Sequence, residues 1–137
     1  MPLDSDVAEL VRALAETGAP AMSEGTVAEA RRNYDAAPRP APDPLPHVVD
    51  RVIENDGLSV PVRCYAPVAD PRELSVIVFF HGGGWVLSSV DGHDPTARRL
   101  ALMTGALVVS VEYRLAPEHP FPAAHDDCWA AAERGRR

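Results

Sequence analysis

The chain has 137 residues, enough for one domain with a hydrophobic core but short for the larger α/β enzymes. Its 20 acidic and 13 basic residues give a net charge of −7, and every basic side chain among them is arginine. Nucleic acid is therefore a poor partner, because contact with phosphates requires a basic surface. The sequence shows no charged leader and no apolar run of membrane-spanning length, which predicts a cytoplasmic protein without a membrane span.

The two cysteines, Cys64 and Cys128, stand far apart and form no C-x-x-C pair. A chain of this size does not need a disulfide for stability, so both are predicted to be buried free thiols. No residue pattern in the chain predicts a bound cofactor.

The first predicted element is an amphipathic helix over residues 4–17, where apolar side chains recur at helical spacing. Asp6 and Glu9 have the spacing of a capping box at its start, and Gly18 is placed to end it. The apolar face of this helix needs a partner to cover it.

A second helix is predicted from Thr26, which would cap it together with Glu29, to about residue 36. Alternating prolines follow and predict a linker, because proline removes backbone donors and favours an extended path. The predicted organisation is therefore cap or arm helices in residues 1–37, a Pro-rich linker in residues 38–47 and a core in residues 48–137.

Two β-patterned stretches, residues 48–54 and 60–65, flank a turn signal at Asp56 and Gly57. They predict an antiparallel hairpin at one edge of a sheet. Residues 76–80 then form an apolar run rich in β-formers, which predicts a strand over residues 74–80 that is buried on both faces.

A helix is predicted to start with Asp94 as its N-cap and to end at Gly105, and a second apolar strand covers residues 106–111. With the strand before it, this helix makes a right-handed βαβ unit whose two strands are parallel. An alanine-rich tail is predicted to continue as a helix to Arg137.

The most informative stretch directly follows the first buried strand and reads His81, Gly82, Gly83, Gly84 and Trp85. Consecutive glycines leave backbone N–H groups open to a ligand oxygen, so the loop predicts an oxyanion hole or an anion-binding nest. In open parallel sheets such sites lie at the carboxyl ends of strands, which is where this loop falls. The loop offers electrophilic assistance and no nucleophile.

Two clusters of His and acidic residues raise a metal site as an alternative. One contains His119, His125, Asp126 and Asp127, and the other is residues 91–94. Metal sites need converging ligands held by further hydrogen bonds, whereas these residues fall in a loop and at helix starts. No metal is therefore predicted, and Asp126 and Asp127 are interpreted as carboxylates favoured by a helix N-terminus.

Three charged residues, Glu112, Arg114 and Glu118, follow the second apolar strand. They could bind a substrate, but charges at a strand end more often pair with one another. An internal ion-pair network is the preferred interpretation.

Two motifs stand in order along the chain. The first is HGGGW at residues 81–85, and the second is YRLAPEHPFPAA at residues 113–124, followed by Asp126 and Asp127. Together they resemble the hormone-sensitive-lipase-like esterases of the α/β-hydrolase fold, and the preceding helices and hairpin resemble that family's usual start. The resemblance implies an α/β protein with the N-terminal half of an α/β-hydrolase sheet, in which residues 48–137 are a partial core preceded by two cap helices.

The resemblance also implies an activity, the hydrolysis of small acyl esters through a triad of Ser, Asp or Glu, and His. Matched position by position, Gly83 and Gly84 would donate their amides to the oxyanion. His81 and Gly82 would support the loop, and Trp85 would flank the acyl pocket.

The family's nucleophile stands in a G-x-S-x-G turn, and no such run occurs in these 137 residues. Ser88, Ser89 and Ser110 lack the flanking glycines of that pattern. The triad is therefore expected to be absent from this chain. The chain alone is expected to be inactive, because nothing in it would attack the carbonyl.

Two other functions stand beside the broken or split esterase. One is a non-catalytic binding module, since the same family resembles a plant hormone receptor that keeps the fold without hydrolysis, and the other is a truncated remnant. In the family's sheet the strand at residues 76–80 is central, so its far edge would lie open here. An open edge favours self-association or pairing with a complementing chain.

Overall fold

The computed structural model describes residues 3–18 and 25–134. In chain order its elements are helices α1 (Ser5–Glu16) and α2 (Val27–Ala36), strands β1 (His47–Asn55), β2 (Leu58–Ala66) and β3 (Val76–Phe80), a 3-10 turn (Asp91–His93), helix α3 (Asp94–Thr104), strand β4 (Leu107–Val111) and helix α4 (Ala123–Arg134). The part of the predicted helical tail beyond Arg134 lies outside the described residues.

The four strands form one mixed sheet in the order β1-β2-β4-β3. Strands β1 and β2 are antiparallel and pair along their whole length, so the predicted hairpin is confirmed with longer strands. Asp56 and Gly57 have φ values of 48° and 80°, as a tight hairpin turn requires.

Strand β3, helix α3 and strand β4 form the predicted parallel unit, with Val76 opposite Leu107 and Phe80 opposite Val111. Within the described residues β3 is an edge strand, because its only neighbour in the sheet is β4. The prediction that this strand is buried on both faces is wrong: Val76 and Phe80 are 43% and 41% exposed. An edge strand has neighbouring side chains on one side only, so its ends stay open to solvent.

Helices α3 and α4 cover opposite faces of the sheet. The cluster under α3 contains Tyr65, Ala97, Ala101 and Val108. The cluster under α4 contains Val60, Val62, Val111, Tyr113, Ala124, Ala130 and Ala131. Residues an odd number apart on a strand point to opposite faces, which is why Val108 and Val111 of β4 fall in different clusters. Because β3 and β4 are parallel, their carboxyl ends lie at the same end of the sheet.

The start of α1 differs from the prediction. Its N-cap is Asp4, whose carboxylate accepts the N–H of Asp6 at 3.0 Å, so the predicted Asp6 and Glu9 capping box is wrong. Asp4 already has the non-helical backbone that a cap needs, and Asp6 lies within the first turn. Gly18 follows the helix end with a φ of +61°. No residue of α1 is buried.

The capping box of α2 is confirmed, since Glu29 donates its N–H to the Thr26 hydroxyl and accepts the N–H of Thr26. Helix α3 differs by one residue: the 3-10 turn leads into it, so His93 is the N-cap and Asp94 is the first helical residue. Gly105 ends α3 in the left-handed conformation, as predicted.

The proline-rich stretch between α2 and β1 forms neither helix nor strand. Arg39 ties its start to α2 by donating to the carbonyls of Tyr34 and Asp35, and Arg98 of α3 donates to the Asp43 carbonyl at 3.2 Å. The division of the chain into cap helices, linker and core stays a prediction.

Cys64 and Cys128 are both free thiols, as predicted, and both are partly buried. Burial raises the pKa of each thiol, that of Cys128 to about 11. In the described ranges no helix has the combination of length and apolar character needed to cross a membrane. The cytoplasmic location stays a prediction.

Candidate active site

The glycine loop, residues 81–87, begins where β3 ends and is anchored to the end of the neighbouring strand. Tyr113, just beyond β4, donates its hydroxyl to the His81 carbonyl at 2.7 Å. Burial raises the pKa of Tyr113 to about 12, so the hydroxyl keeps the proton that it donates. The first residue of the loop is therefore fixed at the carboxyl ends of the parallel strands β3 and β4.

The His81 ring is 4% exposed and stacks on Tyr113, with ring centroids 4.3 Å apart. Its Nδ1 lies 2.8 Å from the Gly82 carbonyl oxygen. Because a carbonyl only accepts, Nδ1 carries the proton of this imidazole. Nε2 is buried and has no hydrogen-bond partner among the described residues.

The hydrogen bonds of the loop orient its amides. A trans peptide is planar, so its N–H points away from the carbonyl of the preceding residue. His81 holds the Gly82 carbonyl, which directs the Gly83 N–H the other way. The Gly83 carbonyl accepts the N–H groups of Val86 and Leu87 at 3.1 and 2.9 Å, which likewise directs the Gly84 N–H outward.

Neither of these two amides is used within the structure. In the part of the chain that the structure describes, no hydrogen bond is donated by the N–H of Gly83 or Gly84. Two adjacent, oriented and unused donors are the arrangement that an anionic oxygen can bind.

Glycine is required at Gly83 for both space and conformation. Its φ is +130°, and a Cβ there would lie 2.0 Å from the Leu87 carbonyl oxygen. Gly84 has a φ of +59°, but a Cβ there would meet nothing within 4 Å. A side chain is therefore excluded at Gly83 and only disfavoured at Gly84.

Trp85 joins the glycine loop to the second motif. Its carbonyl accepts the N–H of Ala116 at 2.8 Å, while its side chain is 68% exposed. Two open grooves of about 440 and 540 Å³ lie on the molecule, and neither is lined by residues 81–85. The role of Trp85 beside an acyl pocket thus stays a proposal.

Ser88 is the hydroxyl nearest in sequence to the loop, and it is buried, with a φ of +77°. Its Oγ lies 2.9 Å from Nδ1 of His93. Burial and the neighbouring His81 lower the pKa of His93, which favours the neutral ring. Only 8% of Ser88 is accessible, so its hydroxyl is not placed to attack a substrate. The Ser88 and His93 pair instead holds residues 88–93, the segment between the glycine loop and α3.

Sequence reasoning missed Arg31 of α2. Its Nε donates to the Val86 carbonyl and its Nη2 to the Ala116 carbonyl, both at 2.9 Å. The guanidinium also binds both carboxylate oxygens of Glu118 at 2.8 Å. Arg31 thus connects α2 with both motifs, although Val86 is 55 residues away in the chain and no spacing signals the contact.

The predicted ion pairs after β4 form in part. Arg114 binds both carboxylate oxygens of Asp127, so the interpretation of Asp127 as a dipole-favoured carboxylate is wrong. Asp127 lies beyond the first turn of α4, where it is buried and also accepts the Arg114 N–H. Glu112 instead accepts the Val90 N–H at 2.6 Å. No group of three or more His, Cys, Asp or Glu residues that could hold a metal occurs within the described ranges.

The Arg31 and Glu118 pair gives a pH-dependent contribution to stability. Hydrogen bonding to Arg31 lowers the pKa of Glu118 from 4.5 to about 2. A lowered folded-state pKa stabilises the fold above the unfolded value and loses that effect as the pH falls through the folded value. We therefore expect the difference in unfolding free energy between the unsubstituted chain and Glu118→Gln to shrink as the pH falls from above 4.5 toward about 2.

Urea unfolding at a series of pH values measures this difference. The matched control is Glu73→Gln, whose carboxylate has no hydrogen bond within the described residues. A difference that stays constant with pH, or that is as large for Glu73→Gln, would contradict the assignment.

The mixed sheet with helices on both faces and a donor loop at the carboxyl end of a parallel strand defines an α/β-hydrolase architecture. Residues 77–136 match the family described as the alpha/beta hydrolase fold. The chain has the fold of this family, and it resembles the N-terminal part of the hormone-sensitive-lipase-like carboxylesterases.

Several relatives agree with this placement. The carboxylesterase NlhH of Mycobacterium tuberculosis is 52% identical over 93 residues, which are 66% of this chain and 29% of NlhH. The esterase LipI of the same organism is 43% identical over 122 residues, 85% of this chain and 38% of LipI. A solved esterase from Pyrobaculum calidifontis has a TM-score of 0.82 at 36% identity, covering 98% of this chain and 44% of that one. The chain thus spans less than half the length of these relatives.

Proposed function

We propose that residues 81–85 form the oxyanion hole of a carboxylic ester hydrolase, with the amides of Gly83 and Gly84 as its donors. The observation that carries this is the pair of oriented amides without partners within the described residues. His81 supports the loop through the Gly82 carbonyl. Trp85 lies beside the acyl group of the substrate.

The chemistry is acyl transfer, in which a nucleophile adds to an ester carbonyl and negative charge develops on its oxygen. Donors fixed in advance stabilise that charge without reorganising, and one such donor contributes about 10²- to 10³-fold to the rate. The serine of a G-x-S-x-G turn would have to come from outside these 137 residues. The proposed substrates are small acyl esters.

A fusion tests the proposal. Residues 1–137 replace the matched segment of the Pyrobaculum calidifontis esterase, which covers 98% of this chain. We expect the fusion to hydrolyse p-nitrophenyl butyrate. A fusion that folds, by circular dichroism and a cooperative melt, but shows no turnover would overturn the proposal.

Measurements on the isolated 137-residue chain distinguish this proposal from a non-catalytic binding module. Without an attacking group the hole has no tetrahedral intermediate to stabilise, so we expect no turnover of p-nitrophenyl butyrate. An inactive fusion, together with a small ester or carboxylate that binds the isolated chain and perturbs the Gly83 and Gly84 amide resonances, would favour the non-catalytic binding module.

We also propose that the open edge of β3 is covered by another strand, from a second copy or from a complementing chain. Among the strands of the described residues β3 has β4 as its neighbour on one side only, and Val76 and Phe80 at its ends are each more than 40% exposed. Unpaired backbone groups along an apolar strand favour pairing with another chain.

Sedimentation of the 137-residue chain checks this. We expect association that grows with concentration and weakens in Val78→Pro, which removes a backbone donor from the middle of β3. Val52→Lys on the exposed face of β1 is the control and should leave association unchanged. A monomer at every concentration would count against the proposal.

A further inference from the structure

Arg31 reaches the glycine loop from helix α2. Its guanidinium binds the Val86 carbonyl directly, at 2.9 Å from Nε. It also binds the Ala116 carbonyl at 2.9 Å, and Ala116 in turn donates its N–H to the Trp85 carbonyl. Arg31 therefore holds the Val86 carbonyl directly, and it holds the Trp85 carbonyl indirectly through Ala116.

The hydrogen bond from Arg31 to the Val86 carbonyl affects the direction of the Gly84 N–H, the proposed oxyanion donor, through two peptide planes. The peptide that carries the Val86 carbonyl also carries the Leu87 N–H, which donates to the Gly83 carbonyl at 2.9 Å. The peptide that carries the Gly83 carbonyl also carries the Gly84 N–H, on its opposite side. A tilt of the first plane therefore tilts the second, and with it the Gly84 N–H.

The guanidinium is itself held in place. Glu118 binds it at two points, both 2.8 Å, and this pairing raises the pKa of Arg31, so the charge is kept. A second arginine just beyond α2, Arg39, donates to the Gly92 carbonyl at 3.2 Å, in the segment between the glycine loop and α3. Planar bidentate pairing fixes orientation as well as distance, which a single-point contact would not.

We propose that Arg31 is a positioning residue that aims the Gly84 amide into the oxyanion hole. It contacts neither substrate nor reacting atoms and acts through the Val86 and Leu87 peptides. The inference rests on the proposed function for what the amide binds, whereas the positioning itself is a property of this chain.

Amide hydrogen exchange of the 137-residue chain, followed by NMR, tests the positioning without any enzymatic readout. Arg31→Met keeps the apolar stem and removes every guanidinium bond. We expect exchange of the Val86 and Leu87 amides to accelerate about tenfold, while the β1-β2 hairpin amides keep their rates. The matched control is Arg32→Met, because Arg32 is exposed and makes no hydrogen bond within the described ranges.

Equal acceleration throughout the sheet would show a merely structural role and overturn the proposal, as would unchanged rates at Val86 and Leu87. Glu118→Gln is the second variant if Arg31→Met does not fold. It weakens the hold on Arg31 and leaves the carbonyl contacts, so we expect about a threefold acceleration at the same two amides. A uniform change or none would overturn the proposal here too.

The fusion gives the catalytic readout. In it, Arg31→Met is expected to lower kcat about tenfold and to leave KM within about twofold, because the oxyanion forms after the ester binds. Arg31→Lys should recover only part of kcat, since a lysine lacks the planar fork. A rise in KM with kcat unchanged would overturn the positioning role. An unsubstituted fusion that folds but is inactive would refute the proposed function, and the exchange rates would still decide the role of Arg31.

Discussion

The fusion that carries Gly83→Ala is expected to hydrolyse p-nitrophenyl butyrate at least about a hundredfold more slowly than the unsubstituted fusion. The new Cβ would lie 2.0 Å from the Leu87 carbonyl oxygen and 2.7 Å from its carbon. Both are backbone atoms, so the turn must open, and the φ of +130° excludes a side chain in any case. Opening the turn frees the Gly83 carbonyl and turns the Gly84 N–H away from the hole.

The matched control is Gly84→Ala, at the adjacent position. A Cβ there meets nothing within 4 Å, and the left-handed backbone costs about 1 to 2 kcal/mol. We expect a loss of activity of about tenfold or less in this variant. Similar rates for the two variants, or an active Gly83→Ala fusion, would contradict the assignment of the loop as the oxyanion hole.

Asp127→Ala is expected to lower the free energy of unfolding of the chain by about 2 to 3 kcal/mol, as measured by urea denaturation. The Asp127 side chain is 5% exposed and binds the guanidinium and the N–H of Arg114. Removing it leaves a backbone donor and one side of a guanidinium without partners. The expected loss lies below that for a fully buried pair, because the Arg114 side chain is 40% exposed and water can solvate it.

Asp126→Ala is the control for this variant. Asp126 is the preceding residue and lies in the first turn of α4, but its side chain is 47% exposed and its carboxylate lies 3.3 Å from Nδ1 of the exposed His125. We expect a change within about 0.5 kcal/mol. Equal losses in the two variants would mean that general helix N-terminal electrostatics, and not the Arg114 pair, stabilises this end of α4.

Local sequence signals predicted the elements well where the chemistry is local. The turn at Asp56 and Gly57 set the hairpin register, Thr26 with Glu29 capped α2, and Gly105 ended α3. Each depends on residues a few positions apart, so a short window of sequence contains the whole interaction. The glycine loop was found for the same reason.

The predictions that failed depended on neighbours distant in the chain. Residues 76–80 read as a strand buried on both faces, yet the described structure places one strand beside them. Asp127 looked like a helix-start carboxylate until the packing of α4 brought it to Arg114. Whether a residue is buried or paired depends on which helices and strands pack against each other, and the local sequence alone does not specify that packing.

The sequence by itself determined that a loop of three consecutive glycines follows a β-strand, which predicts an oxyanion hole, and that these 137 residues contain no G-x-S-x-G run. The tertiary structure alone decided how that loop is held. His81 and Arg31 each bind a loop carbonyl, and planar peptides convert those bonds into the directions of the Gly83 and Gly84 amides. Such orientation arises from contacts between α2, β3 and the segment after β4, which only folding brings together.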